Sequence, residues 1–138
     1  MKEFSIKSAN FSACFQLKVF ETDIQYSSNT ILAVSVNSDG FSANTDMDID
    51  INSFVVFVDA LSALYTTLNG TAILQEPYGE QQFIEFCANH SGHIHLRGEL
   101  SSNGRGGFVQ KLFFENSIDQ TYLPEFINSL SLLCAKYR

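Results

Sequence analysis

The chain has 138 residues and a mass of 15.4 kDa, which at roughly 100 to 200 residues per domain predicts one domain spanning residues 1–138. With 45% hydrophobic and only 17% charged residues it lies far from the composition of disordered chains, so a core can form. Eight Lys and Arg against fifteen Asp and Glu give a net charge of −7, which argues against nucleic-acid phosphate or anionic lipid as the main partner.

The charge is unevenly spread. No Lys or Arg stands between Lys18 and Arg97, while ten acidic residues do, from Glu21 to Glu85; that stretch carries −10 and the two ends together +3. Such a field is either a solubilising surface or an attraction for a basic protein partner, since charge of this kind sets solubility and encounter rate rather than fold. Met1-Lys2-Glu3-Phe4 leads straight into an alternating pattern with no apolar signal region, and the longest apolar run, Phe54-Val55-Val56-Phe57-Val58, falls far short of the ~20 residues a bilayer requires. Cys14, Cys87 and Cys134 are odd in number, widely spaced and without a CxxC, so neither a disulfide framework nor a zinc site is indicated. The expectation is a cytoplasmic protein with no membrane contact.

Period-two alternation predicts strands first. Phe4 to Ser8 and the run Phe11, Ala13, Phe15, Leu17, Val19 make a hairpin about Ala9-Asn10. A polar loop around Ser27-Ser28-Asn29 follows. Thr30 to Val36 and Phe41 to Met47 then flank Asn37-Ser38-Asp39-Gly40, whose Asp-Gly is a strong type I′ hairpin signal. Phe54, Phe57, Val58, Leu61, Leu64, Tyr65 and Leu68 fall on one stripe of an amphipathic helix, capped by Asp50 or Asn52 and stopped by Asn69-Gly70. Its outer side, Val55, Ala60, Ser62, Ala63 and Thr66 with Asp59, is weakly charged; it is either enclosed by its own sheet or covered by a partner or a second copy of the chain. Strands resume at Thr71 to Glu76, Gln81 to Asn89, His93 to Leu100 and Phe108 to Asn116, separated by turns at Pro77-Tyr78-Gly79, at Ser91-Gly92 and in the glycine-rich 101–107 segment. Leu123, Phe126, Ile127, Leu130, Leu133, Cys134 and Tyr137 repeat the helical stripe 69 positions after the first, with Thr121 as N-cap.

These elements predict an α+β fold of order ββββα-ββββα: a twisted antiparallel sheet of about seven to eight strands with two amphipathic helices packed on it. The spacing also raises an internal duplication of residues 1–69 and 70–138.

Catalytic motifs are thin. His93 and His95 alternate onto one strand face with His90 across the adjacent turn, a geometry that admits metal but arises freely on solvated strands. Asp46, Asp48 and Asp50 point to one side of the strand leading into the first helix, where they either bind a cation or serve the helix N-terminus. Serines lack a nucleophile elbow and all three cysteines sit in apolar patterns. The expectation is no catalysis and no cofactor; the alternatives are a metal-binding module or enzyme using His93 and His95, and a self-associating structural module.

A strand-rich start, the acidic stretch Asp46-Met47-Asp48-Ile49-Asp50 before the helix Phe54 to Leu68, then Leu74-Gln75-Glu76-Pro77, more strands, and a closing helix opened by Leu123-Pro124-Glu125-Phe126 together resemble the small bacterial WapI-type immunity proteins. The resemblance implies an α+β fold, no catalysis, a cytoplasmic location and inhibition by tight binding of one cognate toxin with a basic surface. Under it the binding residues are Asp39, Asp46, Asp48, Asp50 and Glu76, with the other acids of the middle, Glu80 and Glu85 among them, as a wider field or as solvated charge.

Overall fold

The structure is a computed structural model that describes residues 2–18, 30–76, 82–89, 91–103 and 105–137. The loop around Ser27-Ser28-Asn29 and the turn at Pro77-Tyr78-Gly79 lie outside the described residues. Strands β1 (Lys2–Lys7), β2 (Phe11–Lys18), β3 (Thr30–Ser38) and β4 (Phe41–Ile49) pair antiparallel in chain order. The alternation works as its period requires: Phe11, Ala13, Phe15 and Leu17 are all buried, as are Leu32, Val34 and Val36 of the strand beside them. Ser38 closes opposite Phe41, and Asp39 and Gly40 between them have φ of 51° and 89°, the two positive values a type I′ turn needs.

Helix α1 (Ile51–Thr67) buries Ile51, Phe54, Phe57, Val58, Leu61 and Leu64. Asp50 caps it, accepting a hydrogen bond from the Asn52 N–H at 2.8 Å. Its stop falls one residue earlier than Asn69-Gly70: Leu68 itself adopts the left-handed conformation, φ 53°. Leu68 is the last member of the apolar stripe and the chain must reverse into the next strand at Gly70, so the turn falls on it.

The second half repeats the order. β5 (Gly70–Gln75), β6 (Phe83–Ala88), β7 (His93–Asn103) and β8 (Val109–Asp119) form a second antiparallel sheet in chain order, followed by α2 (Leu123–Cys134). Thr121 does not cap α2. A 3₁₀ turn at Gln120–Tyr122 comes first, the Asp119 carboxylate accepts the Thr121 N–H at 3.0 Å, and the chain enters α2 already helical with Pro124 in the first turn. Those bonds from the Thr121 N–H and hydroxyl, with His93 nearby, hold the Asp119 carboxyl below its ordinary value.

The α+β class and the ββββα-ββββα order are as the sequence predicts, and the strands divide into two four-stranded sheets. The division has a physical cause: α1 occupies the connection between β4 and β5, and the far edge of β4 meets side chains, described below, instead of another strand.

The core fills the space between the inner sheet faces and the two helices. Rings of Phe54, Phe57, Phe86, Phe126 and Phe15 follow one another at centroid distances from 5.7 to 6.4 Å, linking α1, the second sheet, α2 and the first sheet. Phe11 and Phe114, 5.8 Å apart, join the sheets directly. Each buried phenyl contributes about 1.5–3 kcal/mol of transfer free energy, and each ring pair about 0.5–1.5 more. Gly98 allows this packing: a Cβ there would lie 2.6 Å from both the Phe83 carbonyl oxygen and the Phe114 ring.

Candidate protein-binding cleft

Alternation that buries one face of the first sheet exposes the other. Pairing registers put Glu3, Gln16, Ala33 and Asp46 in one row across the four strands, and Ser5, Cys14, Ser35 and Asn44 in the next. Ala33 and Ser35 are small, so β3 forms a low floor. The result is a cleft of about 740 Å³ bounded by Gln16, Asn44, Asp46 and Asp48 on one side and by Glu76, Gln82, Ser101 and Ser102 of the second half on the other. None of its described lining residues is Lys, Arg or His. Asp46 and Asp48 are exposed, and neither forms an ion pair with a described residue.

The wall between the sheets is built from backbone geometry. Because Ser38 and Phe41 close a two-residue hairpin, Phe41, Ala43, Thr45 and Met47 face their β3 partners with N–H and C=O, and Ser42, Asn44, Asp46 and Asp48 direct theirs outward. At Asp46 and Asp48 the outward groups are taken by side chains. Gln82 Nε2 donates to the Asp46 carbonyl at 2.9 Å, and the Asp48 N–H donates to Glu76 Oε2 at 2.8 Å. Glu76 Oε1 accepts the Gln82 N–H at 3.0 Å, and Gln82 Oε1 accepts the Ser101 N–H at 3.0 Å. Glu76 and Gln82 are only 6% and 4% exposed. Two side chains thus stand where a neighbouring strand would, each hydrogen bond to the carboxylate contributing about 1.5–3 kcal/mol.

The five acidic positions singled out in the sequence therefore separate by role. Asp46 and Asp48 present free-standing carboxylates to the cleft; Glu76 lies beside them, buried, with both oxygens engaged by backbone N–H groups. Asp50 follows two residues on as the helix cap. Asp39 stands at the opposite end of β4, since at about 3.3 Å per residue Phe41 and Asp48 are roughly 23 Å apart. There the Asn116 amide of β8 bridges Ser38 Oγ at 2.9 Å, the Asn10 carbonyl at 3.2 Å and the Asp39 carboxylate at 3.3 Å. Glu85 pairs with Arg97 at 2.9 Å, and Glu80 lies outside the described residues.

Gln82 and Asn116 carry no motif, yet a signal was present. Gln82 continues the inward series Ile84, Phe86, Ala88; Glu76 continues Ala72 and Leu74; Asn116 lies between inward Phe114 and Ile118. A polar residue on the apolar phase of a strand marks a buried hydrogen-bonding role.

The Cys14 thiol, on the floor of the cleft, is pushed up to about 11 by burial and then by its bond to, and the charge of, the Glu3 carboxylate, so it holds no thiolate nucleophile near neutrality. Glu3 is in turn lowered by bonds from Cys14 and Gln16, the latter at 3.1 Å. On the other sheet His95 Nε2 lies 2.6 Å from Glu115 Oε1, and His93 is exposed in register with Asp119. His90 lies outside the described residues, among which no group of three or more His, Cys, Asp or Glu is arranged to hold a metal ion. Among the described residues no helix is long and apolar enough to cross a membrane.

Two antiparallel meanders, each closed by a helix, with a cleft that Asp46, Asp48 and Glu76 help to line on the outer face of the first, define an α+β protein. The chain belongs to the immunity protein WapI-like family, whose sequence model matches residues 4–138. No curated protein matches it.

Proposed function

We propose that this protein is a non-catalytic, single-domain immunity protein that neutralises a cognate bacterial toxin in the cytoplasm by direct binding, with the Asp46 and Asp48 carboxylates as the charged centre of the interface. The observation that carries the reading is the cleft of the first sheet, bordered by two carboxylates without an ion-pair partner among the described residues and with no cation among its described lining residues, in a chain of an immunity protein family. A basic toxin surface is the complement such a field attracts, and complementary fields raise association rates by one to three orders of magnitude at low salt. Glu76 supports the interface by holding the strand segment that bears Asp46 and Asp48. Asp50 adds charge next to them while capping α1, and Asp39 belongs to the wider field. Three free cysteines suit a reducing compartment.

The test uses the cognate toxin, identified as the one whose growth inhibition this chain relieves on co-expression, in catalytically inactive form. The double variant Asp46→Lys, Asp48→Lys is expected to slow association with it at least tenfold at low ionic strength, with the difference shrinking as salt is added. Asp50 is left intact because its replacement would also uncap α1. An unchanged association rate would remove this patch from the interface.

A further inference from the structure

We infer that the partner is captured by strand addition: an extended segment with a Lys or Arg at one end and an apolar side chain at the other pairs with the open edge of β4 over Phe41–Thr45. The inference rests on the binding reading above and adds the mode of capture. β4 is the last strand of its sheet, and its outward edge is protected over only half its length. Beyond the section closed by Gln82 and Glu76, Ser42 and Asn44 are exposed, and among the described residues nothing bonds their outward N–H and C=O groups.

Edges of this kind are ordinarily blunted by charge, proline, a bulge or a covering element. Phe41-Ser42-Ala43-Asn44-Thr45 has neither charge nor proline, and Phe41 is 70% exposed. A groove of about 350 Å³ separates this section from Ser101–Ser102 of β7 and Gln110–Leu112 of β8. It shares Asn44, Thr45, Ser101 and Ser102 with the acidic cleft, so the two are continuous. The walls are tied at the junction by Thr45 Oγ1, which donates to the Ser101 carbonyl at 2.8 Å. Beside it the buried Ser101 Oγ has no hydrogen-bond partner among the described residues.

These features specify the occupant. The outward N–H and C=O groups of Ser42 and Asn44 offer four backbone hydrogen bonds, enough for about four extended residues. Gln82 blocks continuation at Asp46, so the end of the segment stops beside the Asp46 and Asp48 carboxylates, which favour a cation there. Its other end meets the Phe41 ring, which favours an apolar side chain. A second copy of β4 fits less well, because β4 has no basic residue to set against those carboxylates.

Amide hydrogen exchange on the full chain, read residue by residue by NMR with and without the inactive cognate toxin, tests this. The Ser42 and Asn44 amides are expected to exchange fast in the free protein and at least tenfold more slowly in the complex. Ser42→Pro, which removes an outward N–H at an edge position, is expected to weaken binding at least tenfold, while Ser42→Ala, which keeps that N–H, is expected to bind within about twofold of the wild type. Binding that leaves both amides exchanging as before refutes strand addition and leaves the immunity reading standing. Slowing that depends on protein concentration without the toxin assigns the edge to a second copy and overturns the inference. No binding at all refutes neutralisation by direct binding, and this inference with it.

Discussion

Glu76→Ala tests the idea that a buried side chain replaces a strand at the β4 edge. The wild-type carboxylate accepts the Asp48 N–H at 2.8 Å and the Gln82 N–H at 3.0 Å. Alanine leaves both donors without an acceptor, at about 1–3 kcal/mol each. Release of the carboxylate's own desolvation cost offsets part of this, so the net loss is expected near 3 kcal/mol. Glu76→Gln keeps an acceptor for one N–H and turns an amide toward the other, which halves the loss. With a urea m-value of about 2 kcal/mol/M, Glu76→Ala lowers the unfolding midpoint by roughly 1.5 M, and the thermal midpoint by about 10 °C, measured by circular dichroism. Asp48→Ala is the control, because its side chain is exposed and its loss should fall within about 0.5 kcal/mol. If Glu76→Ala is no more destabilising than that control, the carboxylate does not plug the edge.

Gly98→Ala is expected to cost about 1–3 kcal/mol and several degrees of thermal midpoint, because the new methyl meets the Phe83 backbone oxygen at 2.6 Å and only the Phe114 ring can yield; an unaltered melt would show that β6 and β7 separate without cost. Cys14 should be alkylated by iodoacetamide at pH 8 at least tenfold more slowly than a free thiol, since its titration is raised to about 11, and fast modification there would contradict the burial. Stability against urea should follow the same shifts. The raised Cys14 thiol contributes fully below about pH 9 and less as pH rises through 11. The lowered Glu3 and Asp119 carboxyls contribute above the ordinary carboxylate range and are lost as pH falls below about 4.

The candidate site was legible in the sequence wherever a local period governs it. Asp46 and Asp48 share a phase opposite Met47 and Ile49, and period two alone puts them on the outer face. Asp50 next to a helical stripe reads as a cap, and it is one. Glu76 read as one more surface acid because charge was counted along the chain without regard to strand phase, although Ala72 and Leu74 already assigned it inward. The grouping of Glu76 and Gln82 with β4 was not legible at all, because it joins residues 28 and 36 positions apart across two sheets. The helix ends shifted for local reasons: Leu68 took the left-handed turn, and a 3₁₀ turn displaced Thr121 from the cap.

The sequence by itself determined the elements, their order and the buried face of each, because alternation, the helical stripe and the Asp-Gly turn are local consequences of side-chain geometry and backbone sterics. It also determined that the charge concentrates in the middle of the chain. Only the tertiary structure decided that eight strands make two sheets, that a buried Glu and Gln close half of one sheet edge, and that Asp46 and Asp48 border a cleft while Asp39 stands apart. Those outcomes depend on which backbone donors and acceptors the long-range packing leaves unpaired, and hydrogen-bond satisfaction of that kind is settled between segments distant in the chain.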